Sequence, residues 1–77
     1  NPFNPSTTIP YTIADNAWVS VTVYDISGKF VESLMNEHKE IGSYNTVWDA
    51  SEVSSGVYFI KIVAGDFSDY QKVILIK

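Results

Sequence analysis

Apolar and polar residues alternate with a period of two along most of this chain, and the i, i+3, i+4, i+7 spacing of a helix face is nearly absent. In "WVSVTVYD", Val19, Val21 and Val23 point one way, while Trp18, Ser20, Thr22 and Tyr24 point the other. "TTIPYTI" sets Ile9, Tyr11 and Ile13 against Thr8, Pro10 and Thr12. Pro10 has no N–H to give a ladder, so this run is expected at a sheet edge. "SYNTVWD" places Tyr44, Thr46 and Trp48 on one face, and "VYFIKIVAG" sets Tyr58, Ile60 and Ile62 against Phe59, Lys61 and Val63.

Turn signals separate these runs. "DISGK" (25–29) carries a Ser-Gly turn, so "FVESLM" (30–35) reads as the return strand of a hairpin. "NEHKEIG" (36–42) is polar and irregular and reads as a surface loop, and "ASEVSSG" (50–56) is a connection of Ser and small residues. Gly65-Asp66 turns the chain into "FSDYQKVILIK", a strand expected to run to residue 77. The nearest approach to helical spacing, "KFVESLMNEHKE", is overruled by the hairpin signals around it. Six strands at intervals of 8 to 12 residues predict an all-β fold, a small immunoglobulin-like antiparallel β-sandwich of about six to seven strands. The seventh would arise if a long strand changed sheets at a bulge. "Immunoglobulin-like" describes the architecture alone, since the chain has no cysteine and therefore no disulfide.

Ordering 77 residues costs on the order of 100 kcal/mol, so nearly all the apolar surface must be buried. With 45% hydrophobic and 18% charged residues, the composition can supply one such core. The absence of Cys removes thiolate zinc sites and Cys nucleophiles. Net charge is −4, all five basic residues are Lys, and there is no basic stripe, which argues against a nucleic-acid partner. No apolar run approaches the roughly 20 residues that span a bilayer. His38, the one histidine, sits between Glu37 and Lys39 in the polar stretch and has no second imidazole or thiol to join it. Asp25, Asp49, Asp66 and Asp69 fall at strand ends, where Asp is an ordinary turn former. A calcium site at one end of the sandwich would need a carboxylate cluster, and no D-x-D-x-D-G loop is present. Nucleophile elbow, P-loop and dinucleotide fingerprint are all missing, so the sequence predicts no enzyme and no cofactor.

Three stretches stand apart from this pattern. Trp18 is out of phase with the valines beside it and is expected in solvent, whereas Trp48, Tyr44 and Tyr58 are in phase with the core face. In "KVILIK", Val73 and Leu75 point one way and Ile74 and Ile76 the other, so both faces of the last strand are apolar, with Lys72 and Lys77 at the ends. That outer face is covered by a loop or is read by a partner. The chain opens on "NPFNPST", in which each Pro biases the preceding Asn away from the helical region. Asn1, Pro2, Phe3, Asn4 and Pro5 therefore read as a linker or lead-in, with Phe3 a candidate tether onto the sandwich and residues 6–77 the domain proper.

"NPFNPSTTIPYTI", "VTVYDISGK", "TVWDAS" and "SSGVYFIKIVAGDFSDYQKVILIK" together resemble the type A C-terminal sorting domain of the type IX (Por) secretion system. That family is also similar to the immunoglobulin-like domain of flagellar hook-capping proteins. The resemblance covers essentially the whole chain in order. It implies an export address at the end of a larger protein, with a cargo domain on the N-terminal side and any export leader further upstream. It implies recognition by the outer-membrane translocon, usual removal by a sortase-like peptidase, and transient residence in the periplasm before the outer surface or the medium. The family's Gly-x-Tyr motif falls on Gly56 and Tyr58. Its closing Lys-Val-x-Val-Lys-type motif falls on Lys72, Val73, Leu75 and Lys77, with Leu where Val is frequent and one extra residue before the last Lys. Gly56 is expected to supply a positive φ or a close approach, and Tyr58 to anchor its strand. Two rival readings stand beside this one. The first is an accessory module of a secreted hydrolase that holds polysaccharide, with Trp18 as its platform, and the second is a structural spacer.

Overall fold

The computed structural model describes residues 6–76. They form six antiparallel strands and no helix: β1 (Ser6–Ile13), β2 (Ala17–Asp25), β3 (Phe30–Lys39), β4 (Gly42–Asp49), β5 (Gly56–Ala64) and β6 (Phe67–Leu75). β1 and β4 make a two-stranded sheet, and the other four make a second sheet in the order β3-β2-β5-β6. The predicted sandwich is therefore present, with its strands divided two against four.

The core lies where the period-two faces meet. Val19, Val21 and Val23 of β2 and Tyr58, Ile60 and Ile62 of β5 come from the larger sheet. Ile9, Tyr11 and Ile13 of β1 and Trp48 of β4 close over them from the smaller one. Trp48 is fully buried, and its indole N–H donates to Glu32 Oε1 at 3.2 Å, so burying the ring leaves no donor unpaired. Pro10 costs nothing in the ladder because β1 pairs only with β4 and its other edge is free. On that side Gln71 of β6 donates through Nε2 to the Pro10 carbonyl at 3.0 Å, tying the edge of one sheet to the edge of the other.

The β2–β3 hairpin follows its sequence signal. Gly28 N–H donates to Asp25 O at 2.9 Å, and Gly28 has φ +86°, the left-handed residue that closes a three-residue hairpin loop. Asp25 Oδ1 accepts from Ser27 N–H, Ser27 Oγ and Lys29 N–H within 2.9 Å.

The polar stretch 36–42 is a correction to the sequence reading. Asn36, Glu37, His38 and Lys39 continue β3, pairing with Ser20, Val19, Trp18 and Ala17, and only Glu40 and Ile41 link β3 to β4. β3 lies at a sheet edge, and this half of it is held by backbone bonds to β2 rather than by buried side chains, so polarity does not forbid a strand. The β2–β3 register shifts twice, at Val21/Thr22 and Val23/Tyr24, yet both strands stay in one sheet. Among the described residues no seventh strand forms. The last strand ends at Leu75 rather than continuing through Ile76.

Candidate functional site

The Gly-x-Tyr stretch and the apolar closing stretch are far apart in sequence and directly opposed in the fold. Gly56 pairs with Leu75, Val57 with Ile74, Tyr58 with Val73 and Phe59 with Lys72. Val73 and Leu75 turn inward and pack partly buried against the core, while Lys72 and Ile74 point outward. Ile74 is 64% exposed and Ile76 79%, so no loop among the described residues covers the outer face. β6 has β5 on one side and an open edge on the other. The structure thus brings together Gly56, Tyr58, Lys72, Val73 and Leu75. Lys77 and the lead-in Asn1–Pro5, including the Phe3 tether, lie outside the described residues.

Tyr58 supports this strand pair from within. Its ring is 8% exposed, meets Trp48 edge-on at 5.2 Å and 70°, and its hydroxyl donates to Ser54 O at 2.7 Å. A tyrosine reaching back to the backbone four residues upstream is the geometry of a tyrosine corner, which fixes the path of the chain as it enters a strand. Gly56 has φ +158°, close to extended, and an added Cβ would meet the Tyr58 ring at an ordinary 3.9 Å. The expected positive φ is present, and the close approach is not.

The same device occurs a second time, where sequence reading did not look for it. Tyr44 Oη donates to Glu40 O at 2.6 Å, and Gly42 stands two residues before it with φ +153°. Its ring stacks on Tyr11 at 5.7 Å and 26°. The signal was legible: Gly42-Ser43-Tyr44 repeats the Gly-x-Tyr spacing of Gly56-Val57-Tyr58. Each corner stands at the start of a strand, β4 and β5 respectively.

The comparison with known families matches the secretion system C-terminal sorting domain over residues 1–77. The chain belongs to this family. No curated protein and no solved structure matches it. Membership makes the chain a type IX secretion C-terminal sorting signal, a module that marks a protein for export to the cell surface or beyond.

Two carboxylates of the sorting domain hold turns. Hydrogen bonds from the Ser27 hydroxyl, and then from the backbone N–H of Lys29, hold the Asp25 carboxyl below its ordinary pKa. Asp49 Oδ1 accepts from Ser51 N–H at 3.0 Å in the turn after β4. Among the described residues no three His, Asp or Glu side chains gather closely enough to hold a metal ion. His38 is exposed, and the described residues contain no helix able to cross a membrane. Trp18 is 59% exposed as expected, its indole N–H donating to Asn36 Oδ1 at 2.5 Å.

Proposed function

We propose that this sorting domain is a non-catalytic export address, read in its folded state by the outer-membrane translocon of the type IX system. The cargo it carries is continuous with its N-terminal side, and a sortase-like peptidase separates the two once the cargo has crossed. Recognition centres on β6: Lys72, Val73, Leu75 and Lys77, with Gly56 and Tyr58 on the neighbouring strand holding it in place. The observation that carries this reading is the edge strand itself. It presents outward Ile74 and Ile76 to solvent and unpaired backbone groups along one side. Natural sheets usually blunt such an edge with Pro, charge or a bulge, and an apolar edge left open is a template for another chain. Two of the other free edges are blunted: Pro10 interrupts β1, and β3 carries two register shifts with Glu37, His38 and Lys39 beyond them.

The test is export of a cargo fusion in a host that has the type IX machinery. Removing residues 73–77 is expected to retain the cargo inside the cell. Because that truncation also takes Val73 and Leu75 from the core, the exposed pair Ile74→Ser and Ile76→Ser is tested alongside it, with folding verified by circular dichroism. Loss of export in the folded double variant supports the reading, and unchanged export of both fusions overturns it.

A further inference from the structure

The outer face of the four-stranded sheet has a charge distribution unlike the rest of the molecule. The chain carries nine acidic residues, five Lys and a net charge of −4. None of the nine lies on that face. β2 presents Trp18, Ser20, Thr22 and Tyr24 there; β5 presents Val57, Phe59, Lys61 and Val63; β6 presents Ser68, Tyr70, Lys72 and Ile74. From β3, Phe30 stands opposite Tyr24, and His38 opposite Trp18. The acids are elsewhere. Glu32, Glu37 and Asp69 sit opposite inward residues Val23, Val19 and Ile62, and the others are in turns, links or at strand ends. Among the described residues the one ion pair is Lys39–Glu37, so no carboxylate neutralises Lys61 or Lys72.

The same face holds a shallow concavity of about 500 Å³ lined by Tyr24, Gly28, Phe59, Lys61 and Tyr70. The Lys61 ammonium stands 5.7 Å above the Tyr70 ring. Phe59 lies between Tyr24 on β2 and Lys72 on β6, and Lys61 lies between Thr22 and Tyr70 in the next row, so each row sets at least one ring beside an ammonium group. Trp18 extends the row along β2, six residues or about 20 Å from Tyr24. Its indole is held by Asn36.

We propose that this face binds an anionic glycan, with sugar rings stacked on Tyr24, Phe59 and Tyr70 and acidic groups held by Lys61 and Lys72. Two arguments choose this occupant. The backbone groups of β2 and β5 are consumed in ladders on both sides, so a ligand here meets side chains alone. A peptide strand, which binds sheets through main-chain bonds, gains little on such a face. Rings and ammonium groups set on a rigid sheet suit instead a ligand with apolar ring faces and acidic substituents, such as a uronic acid or sugar phosphate polymer. The second argument is charge complementarity. On a protein that repels polyanions overall, a carboxylate-free cationic face is the one place where a polyanion can approach. This inference is independent of the export reading, which concerns the open edge of β6 rather than the face of the sheet.

The test is affinity electrophoresis of the 77-residue chain in gels containing polygalacturonate, neutral dextran or poly-glutamate. Retardation by polygalacturonate alone, weakening as salt is raised, is the expected result. Lys61→Gln with Lys72→Gln, and separately Tyr70→Ala, each weaken binding about tenfold or more, while thermal melts show that both variants remain folded. The proposal is overturned by no retardation by polygalacturonate, by equal retardation by dextran, or by retardation that survives the lysine substitutions. Equal retardation by poly-glutamate overturns it in favour of an acidic protein partner.

Discussion

Tyr58→Phe isolates what the tyrosine corner contributes. The substitution keeps the ring, which is 8% exposed and packed edge-on against Trp48 at 5.2 Å, and removes only the hydroxyl that donates to Ser54 O at 2.7 Å. A net intramolecular hydrogen bond contributes about 0.5–1.5 kcal/mol. Ser54 is exposed although the bond itself is part-buried, so water replaces most of the lost donor and little orphaned-acceptor penalty is added. The expected loss is therefore about 1 kcal/mol, or a fall of roughly 4–8 °C in melting temperature for a domain of this size. Tyr58→Ala also removes the ring and should cost about 3–5 kcal/mol. A chain of 77 residues has a total stability of about 4–12 kcal/mol, so the Ala variant approaches unfolding. Urea denaturation followed by the emission of buried Trp48 measures both, with equal m-values required for the comparison. A Phe variant as stable as the parent would refute the assignment of the hydroxyl to the corner. If the Phe variant loses export while keeping its stability, the hydroxyl contacts the translocon directly and Tyr58 is more than support.

Tyr44→Phe should cost less than Tyr58→Phe, about 0.5 kcal/mol in the same urea titration, because its bond to Glu40 is exposed. Ile60→Ala empties a fully buried position in an interior strand of the larger sheet and should cost about 2–5 kcal/mol by the same measurement. Asp25 has its folded pKa depressed, so its contribution is present above the unfolded value and lost as pH falls through the folded one. Denaturation midpoints of the parent and Asp25→Asn should therefore differ at neutral pH and converge as the solution is acidified below the ordinary carboxylate range. Tyr11 has its pKa raised by burial, which favours the neutral phenol in the folded state. Stability should fall as pH rises through the alkaline range where the unfolded tyrosine ionises, and Tyr11→Phe should remove that part of the fall.

Local pattern carried much of the fold into view. Alternation assigned Val19, Val21, Val23, Tyr58, Ile60 and Ile62 to the interior and left Trp18 outside, and the burial agrees in each case. Period two is a property of neighbouring residues, so it survives in any sheet that buries one face. Turn chemistry is equally local, which is why the Ser-Gly signal at residues 25–29 located a real hairpin. The polar run 36–39 was misread because an edge strand needs a partner's backbone rather than apolar side chains, and a sequence does not display its partner.

What the amino-acid sequence determined by itself was most strand positions, the inward faces, the absence of cysteine chemistry and the motifs that place the chain among sorting domains. Pairing order was decided by the tertiary structure. It set β1 with β4 and β6 at an open edge, laid the Gly-x-Tyr motif of β5 against the closing strand, and revealed the second corner at Tyr44. It also cleared one sheet face of all nine carboxylates, which lie scattered through the sequence. The physical reason is range. Backbone stereochemistry and side-chain alternation act over a few residues, whereas strand partners and surface charge depend on segments tens of residues apart, and these meet only when the core closes.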